Sequence, residues 1–138
     1  MNFVFISDTH LQTPEVPDGD VLLHAGDLTY NGSLPEVERA IVWISSLPNK
    51  HKIFIAGNHD FLFQDKPESA RQLVMQYPNL TYLQDSEVVI EDIKIWGSPW
   101  QPRFHDWAFN LDRGMPIAKK WAMIPDDTDI LITHGPPL

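Results

Sequence analysis

The segment KIFIAGNHD, residues 52–60, runs from a bulky apolar stretch into a glycine followed by three polar side chains. Three other segments also run from an apolar stretch into polar residues: FVFISDTH at 3–10, VLLHAGD at 21–27 and DILITHG at 129–135. Short runs rich in β-branched and aromatic residues, closed by turn-forming residues, are typical of strands. The sequence therefore predicts four strands that each end in polar residues.

Helical patterns and further short strands lie between these segments. Residues 33–47 combine the S-x-x-E spacing of a capping box with apolar residues at helical intervals. The remaining predictions are helices at 67–77 and 116–123, strands at 81–83, 88–90 and 93–96, and an aromatic loop at 97–114. We expect residues 3–6 to be buried on both faces of a sheet, and the strands around Glu91-Asp92 to form an antiparallel hairpin. The alternation predicts a mixed α/β fold and one domain spanning 1–138.

Composition and charge exclude several classes of protein. The chain has 138 residues and no cysteine, which excludes a disulfide scaffold and thiolate chemistry. Its 10 Lys and Arg against 19 Asp and Glu give a net charge of −9, which argues against a binder of nucleic-acid backbones. The amino terminus lacks the pattern of a signal peptide, and no apolar run approaches the roughly 20 residues of a membrane span. We therefore expect a cytoplasmic protein without membrane or nucleic-acid partners.

The polar residues after the four strands are the types that bind metal ions. They are Asp8, His10, Asp27, Asn58, His59 and His134. Ligands of layered α/β folds bind beyond the carboxyl ends of the strands, so these side chains are expected to meet. Carboxylate, imidazole and amide ligands together favour Mn, Fe, Zn or Ni. Two divalent ions beside two carboxylates would leave a locally positive pocket, which suits an anionic phosphate.

Each of these motifs also has a purely structural interpretation. Asp8 could cap a turn, Gly26-Asp27 is a common turn dipeptide, and Asn58 could simply tolerate a left-handed conformation. His134 alone would more often be a hydrogen-bonded histidine than a metal ligand. The occurrence of all four motifs after strand-like runs favours the metal site.

The order D-x-H, G-D, G-N-H-D, T-H-G resembles that of the calcineurin-like metallophosphoesterase superfamily. Longer stretches are similar to the metallophosphoesterase-domain proteins of brain and to class III cyclic-nucleotide phosphodiesterases: LHAGDLT at 23–29, WGSPWQP at 96–102, WAFNL at 107–111 and DILITHGPP at 129–137. The resemblance implies a β-sandwich flanked by helices. It also implies hydrolysis of a small phosphoester, a phosphodiester or a cyclic nucleotide, by a metal-activated water.

The resemblance assigns a ligand set for two divalent metal ions, Mn or Fe in the first place and Zn or Ni as alternatives. Asp8 and His10 would bind the first ion, Asp27 would bridge both ions, and Asn58 and His134 would bind the second.

Further roles fall on the neighbouring residues. His59 would be the catalytic histidine that stabilises or protonates the leaving oxygen, and Asp60 would orient its imidazole. Arg103 is a candidate phosphate clamp, although a surface salt bridge is an equally good interpretation, and His105 is a candidate phosphate contact.

The sequence departs from the family pattern at its carboxyl end. The family continues to a G-H-x-H segment whose two histidines complete the metal sites, whereas this chain stops at Leu138. We expect weaker metal binding, a C-terminally shortened sandwich with an uncovered apolar face, and self-association as a dimer. A fragment of a longer gene product is the other interpretation. The alternative function is a catalytically impaired fold that serves as a binding or scaffold module.

Overall fold

Four parallel strands form the first sheet of the computed structural model, which describes residues 1–135. In sheet order these strands are β1 (Phe3–Ile6), β2 (Val21–His24), β3 (His51–Phe54) and β4 (Leu80–Tyr82). Because the strands are parallel, all their carboxyl ends lie on the same side of the sheet, along the line of strand ends. Pro136 and Pro137, which belong to the last stretch of family resemblance, lie outside the described residues.

Three helices cover one face of this sheet: α1 (Leu34–Ser46), α2 (Phe61–Asp65) and α3 (Pro67–Met75). The predicted cap of α1 is confirmed, because the Ser33 side chain accepts a hydrogen bond from the Glu36 amide. Glu36 uses its own carboxylate to accept from the amides of Tyr30 and Asn31. The cap thereby fixes the loop that leads from β2 into α1.

A second sheet packs on the other face of the first. Its strands, in sheet order, are β5 (Ser86–Ile90), β6 (Ile93–Ser98) and β9 (Ile130–Thr133). The predicted hairpin is confirmed, since β5 and β6 are antiparallel and Glu91 and Asp92 both have the positive φ of its tight turn. Between the two sheets lies an apolar layer that includes Leu23, Ile55 and Ile95. The mixed α/β fold is as the residue patterns predict, and the sandwich flanked by helices is as the family resemblance implies.

The aromatic loop contains structure that the sequence did not reveal. Two-residue strands β7 (Gln101–Pro102) and β8 (Asn110–Leu111) pair within it. The helix that follows, α4 (Met115–Trp121), is the one predicted at 116–123. The five-residue helix α2 is a second addition. Elements this short carry too few residues for a recognisable periodicity, so their existence depends on tertiary contacts.

The prediction that residues 3–6 are buried on both faces is wrong. Strand β1 is an edge strand of the first sheet, and the Phe5 side chain is 65% exposed. An apolar run indicates that a strand is hydrophobic, but it does not indicate whether another strand lies beside it in the sheet. Self-association through such a surface stays a prediction.

Within residues 1–135, no helix has both the length and the apolar character needed to cross a membrane. The longest, α1, has 13 residues.

Candidate metal centre

The predicted metal-binding side chains meet at the carboxyl ends of four strands. Asp8 and His10 follow β1, Asp27 follows β2, Asn58 follows β3 and His134 follows β9. Strand β9 belongs to the second sheet, yet it brings His134 against the first, where the ring contacts the Ala25 carbonyl. Convergence at the strand ends, which the sequence argument expected, is therefore a feature of the structure.

Asp8, His10 and Asp27 form the first group of donors. One ligand atom from each lies within 4.8 Å of the others. His10 Nε2 is 3.9 Å from Asp8 Oδ1 and 3.8 Å from Asp27 Oδ2. Donors that share an ion at about 2.0–2.2 Å are at most about 4.4 Å apart, so the two distances from His10 Nε2 suit a shared cation.

Asn58 and His134 form a second group around the same aspartate. His134 Nε2 lies 2.9 Å from Asn58 Oδ1 and 3.2 Å from Asp27 Oδ2. Asp27 thus belongs to both groups, as a bridging ligand must. The donors are oxygen and imidazole nitrogen, the ligand types that suit divalent first-row cations.

The three imidazoles of the site are held in the same way. In each ring Nδ1 lies against a backbone carbonyl oxygen, and the pairs are His10 with Thr29 at 3.0 Å, His59 with Tyr30 at 2.7 Å and His134 with Ala25 at 2.7 Å. An N–H at Nδ1 that donates to a carbonyl leaves Nε2 as the functional nitrogen. All three carbonyls belong to the segment 25–30, which also carries Asp27.

Electrostatic interactions couple Asp27 to His134. Burial works against ionisation of Asp27, but hydrogen bonds from His134 and from the His59 amide outweigh it and hold the pKa of Asp27 below its usual value. Burial also opposes the charged form of His134, yet the hydrogen bond to Asp27 raises the pKa of His134 to about 9. The raised pKa means that His134 carries a proton beside the Asp27 carboxylate. A cation bound here would replace that proton as the positive charge next to Asp27.

The expectation that Asp60 orients the His59 imidazole needs correction. Among the described residues, the Tyr30 carbonyl is the group that lies against His59 Nδ1. The fully buried Asp60 carboxylate instead accepts hydrogen bonds from the Gly57, Leu28 and Thr29 amides and from the Thr29 hydroxyl. Asp60 therefore ties the segment 57–60 to the segment 25–30, and its effect on His59 is indirect.

The backbone of the site is locally strained. Asp8, His10 and Asp27 all have positive φ, a conformation that residues other than glycine rarely adopt. Gly26 also has a positive φ, and in addition a Cβ there would lie 2.8 Å from the Gly57 Cα. Such conformations cost roughly 1–3 kcal/mol each and concentrate at functional sites.

Arg103 and His105 lie in the exposed part of the aromatic loop. Arg103 donates to Asp112 and approaches Asp106, so the salt-bridge interpretation describes its contacts. The His105 ring packs edge-on against Phe104, with ring centroids 4.3 Å apart. A role for Arg103 and His105 in substrate binding stays a prediction.

The backbone contributes to the site in a way that the sequence does not predict. The carbonyls of Ala25, Thr29 and Tyr30 orient the histidines, and a backbone carbonyl has no signature in the sequence. The Thr29 hydroxyl donates to Asp60 Oδ1 at 2.7 Å. Its position two residues after Asp27 is the one signal that could have identified it.

His24 packs beside the site in a neutral form. Its Nε2 lies 2.9 Å from the Thr9 hydroxyl, and its Nδ1 accepts a hydrogen bond from the Gly26 amide. Burial and the nearby His134 lower the pKa of His24 to about 3. The side chain supports the loops that carry the ligands, and it remains uncharged at neutral pH.

Acid should destabilise the metal-free protein through His24. The unfolded chain takes up a proton near pH 6.5, whereas folded His24 does so only near pH 3, so stability is complete above 6.5 and falls as the pH decreases. The loss is about 1.4 kcal/mol per pH unit, or about 2 kcal/mol between pH 6.5 and 5. The free energy of unfolding in urea, measured with chelator at pH 6.5 and at pH 5, gives this loss. His24→Gln should remove most of this slope, and an unchanged slope would contradict the assignment.

Comparison with known proteins places this geometry in a family. The family model described as calcineurin-like phosphoesterase matches residues 1–138. The human and mouse proteins named metallophosphoesterase domain-containing protein 1 are each 46% identical to the chain over 158 residues, covering 99% of it and 48% of the relative. The Caenorhabditis elegans UPF0046 protein C25E10.12 is 43% identical over 154 residues, covering 100% of the chain and 54% of the relative.

The chain thus spans about half the length of the curated relatives it matches. The match nevertheless includes every strand end that supplies a donor to the site. The chain belongs to the calcineurin-like phosphoesterase family.

Proposed function

We propose that the protein hydrolyses a small phosphodiester or a cyclic nucleotide with the help of two divalent metal ions, Mn or Fe in preference to Zn or Ni. The observation that carries this proposal is the shared position of Asp27 between two donor groups. His10 Nε2 and His134 Nε2 lie 3.8 and 3.2 Å from the same oxygen, Asp27 Oδ2. A carboxylate in this position can bridge two neighbouring cations, as a two-metal site at about 3.5–4 Å separation requires of its shared ligands.

Family membership supports the metal-dependent hydrolysis of a phosphoester, and the donor chemistry supports the choice of metals. When bound, the two ions would supply Lewis acidity and a water of lowered pKa as the nucleophile. Asp8 and His10 would hold one ion and Asn58 and His134 the other. With two carboxylates among these donors, the loaded site would carry net positive charge and would attract a phosphate anion.

His59 supplies the proton chemistry of the proposed reaction. Its amide donates to Asp27 Oδ1 at 2.9 Å, so the side chain begins beside the bridging ligand. The Tyr30 carbonyl holds Nδ1, which directs Nε2 to the reacting groups. From there the doubly protonated imidazolium form of His59 can pass its Nε2 proton to the oxygen that leaves phosphorus and keep the proton on Nδ1, a step that contributes typically about 100- to 10,000-fold.

The test compares wild-type protein with His59→Ala on 3′,5′-cyclic AMP in the presence of Mn²⁺. The leaving group is an alkoxide, which needs a proton, so kcat should fall by about 100- to 10,000-fold. His51→Ala is the matched control, because His51 begins β3 at the end of the strand remote from the site. It should retain wild-type activity.

Equal kcat values for wild type and His59→Ala would contradict the role of His59. Absence of hydrolysis of both 3′,5′-cyclic AMP and bis(4-nitrophenyl) phosphate, with metal bound to the protein, would contradict the proposed function. That second result would favour the binding or scaffold module.

A further inference from the structure

The His59 imidazole lies between two other rings at the edge of the metal centre. The Trp107 ring is centred 4.3 Å from it and tilted by 42°. The His10 ring approaches from another direction, edge-on at 5.2 Å, and is itself stacked on Tyr30. Trp107 belongs to the aromatic loop, about fifty residues further along the chain, and it makes the shortest of these ring contacts.

Backbone hydrogen bonds attach the aromatic loop to the segment that carries His59. The Ala108 amide donates to the Asn58 carbonyl at 3.0 Å. The Phe109 amide donates to the Gln64 side chain at 2.7 Å. Ala108 and Phe109 are buried, so the main chain beside Trp107 is anchored on the residue that precedes His59.

The contacts of His59 leave Trp107 a defined task. The Tyr30 carbonyl fixes the position of Nδ1, but one hydrogen bond leaves the ring free to tilt about that contact. The indole, centred 4.3 Å from the ring and tilted by 42°, restricts this movement at closer range than the edge-on His10 ring at 5.2 Å. The hydrogen bond and the indole together define the ring plane. Proton transfer requires the donor nitrogen within hydrogen-bond reach of its target, so a change of ring plane reduces the rate.

We propose that Trp107 is a positioning residue that sets the plane of the His59 imidazole and thereby aims Nε2 at the leaving oxygen. This inference rests on the proposed function, because it assumes that His59 donates a proton to that oxygen. It gives one residue of the aromatic loop, Trp107, a part in catalysis, although the loop supplies none of the metal ligands described above. Trp107 acts through His59 and needs no contact with the substrate.

The kinetic test uses two diesters that differ in their need for a proton. Diphenyl phosphate releases the basic phenolate, and bis(4-nitrophenyl) phosphate releases a stable anion that leaves unaided. In Mn²⁺, Trp107→Ala should lower kcat for diphenyl phosphate by about 10- to 100-fold and kcat for the nitrophenyl diester by less than about threefold, with KM unchanged. Trp107→Phe keeps an aromatic face and should restore most of the loss.

Phe104→Ala is the matched control. Phe104 lies in the same loop and is exposed, and its ring packs on His105. Its removal should leave both rates unchanged. If Trp107→Ala does not fold, Trp107→Leu keeps apolar bulk without a flat face and should show the same dependence on the leaving group.

A second measurement needs neither metal nor activity. The indole ring current should shift the carbon-bound protons of the His59 imidazole upfield in the NMR spectrum of the metal-free protein. Trp107→Ala or Trp107→Leu should remove this shift and leave the His51 signals in place, whereas Trp107→Phe should retain part of it. If metal-loaded wild type hydrolyses neither diester nor 3′,5′-cyclic AMP, the proposed function fails, and this spectrum still decides whether Trp107 orients His59.

Three results would overturn the inference. A loss of equal size on both diesters with a raised KM would make Trp107 a substrate contact. Unchanged rates in a folded Trp107→Ala protein would leave it without a role in the reaction. His59 signals that do not move in that variant would show that the indole does not fix the ring.

Discussion

Asp27→Asn is expected to lower phosphodiester hydrolysis by about 1000-fold or more. The substitution keeps the shape of the side chain and suits the left-handed backbone at this position, but it removes the charge that the two donor groups share. Loss of the bridging carboxylate should weaken both metal positions at once. Transition-state stabilisation by bound cations is worth several kcal/mol, which corresponds to three or more orders of magnitude in rate.

The measurement combines kcat for bis(4-nitrophenyl) phosphate with the metal content of the protein after dialysis. Asp20→Asn is the matched control, because Asp20 precedes β2 whereas Asp27 follows it, and its carboxylate contacts the Asn2 amide. The control should keep wild-type activity and metal content. A metal content of Asp27→Asn equal to that of wild type would contradict the bridging assignment.

Asp60→Ala is expected to lower the free energy of unfolding by about 3 to 5 kcal/mol. The fully buried Asp60 carboxylate accepts four hydrogen bonds, and its removal would leave three amides without an acceptor and the Thr29 hydroxyl with only its longer contact to the His59 carbonyl at 3.3 Å. A buried donor without a partner costs about 1 to 3 kcal/mol, and water entering the vacated space offsets part of the sum. A typical domain has only about 5 to 15 kcal/mol in total, so the loss is large.

Urea denaturation of the metal-free protein measures this effect. Asp65→Ala provides the comparison, since Asp65 is an exposed carboxylate at the end of α2 that contacts the neighbouring Gln64. It should change stability by less than about 0.5 kcal/mol. If Asp60→Ala were as stable as Asp65→Ala, the four hydrogen bonds could not be what joins the segments 25–30 and 57–60.

The sequence predicts those parts of the fold that follow from periodic patterns. Helix α1 has a cap and an apolar face, and the hairpin at Glu91-Asp92 has a turn between two alternating strands, so both could be recognised. Helix α2 and the paired strands β7 and β8 are too short for a pattern. The exposed side of Phe5 depends on which strands lie beside β1, and local sequence carries no such information.

The candidate site also has a part that the sequence predicts and a part that it does not. Donor side chains such as Asp27 and His134 could be identified because their chemistry and their position after strands are visible in the sequence. The hydrogen-bond partners of Asp60 could not be identified in this way, since its carboxylate faces backbone amides and not the His59 ring. The contact of Trp107 with His59 depends on how the aromatic loop closes, which the local sequence does not reveal.

Segment 25–30 has a consequence for protein engineering. Its carbonyls orient three histidines that lie on three separate parts of the chain, and its own Asp27 joins the two donor groups. A designer who transplants the site to another scaffold must therefore reproduce the path of six consecutive residues before choosing any side chain. For the same reason, random mutagenesis in this segment should rarely alter one histidine alone, because each change of backbone path reaches all three.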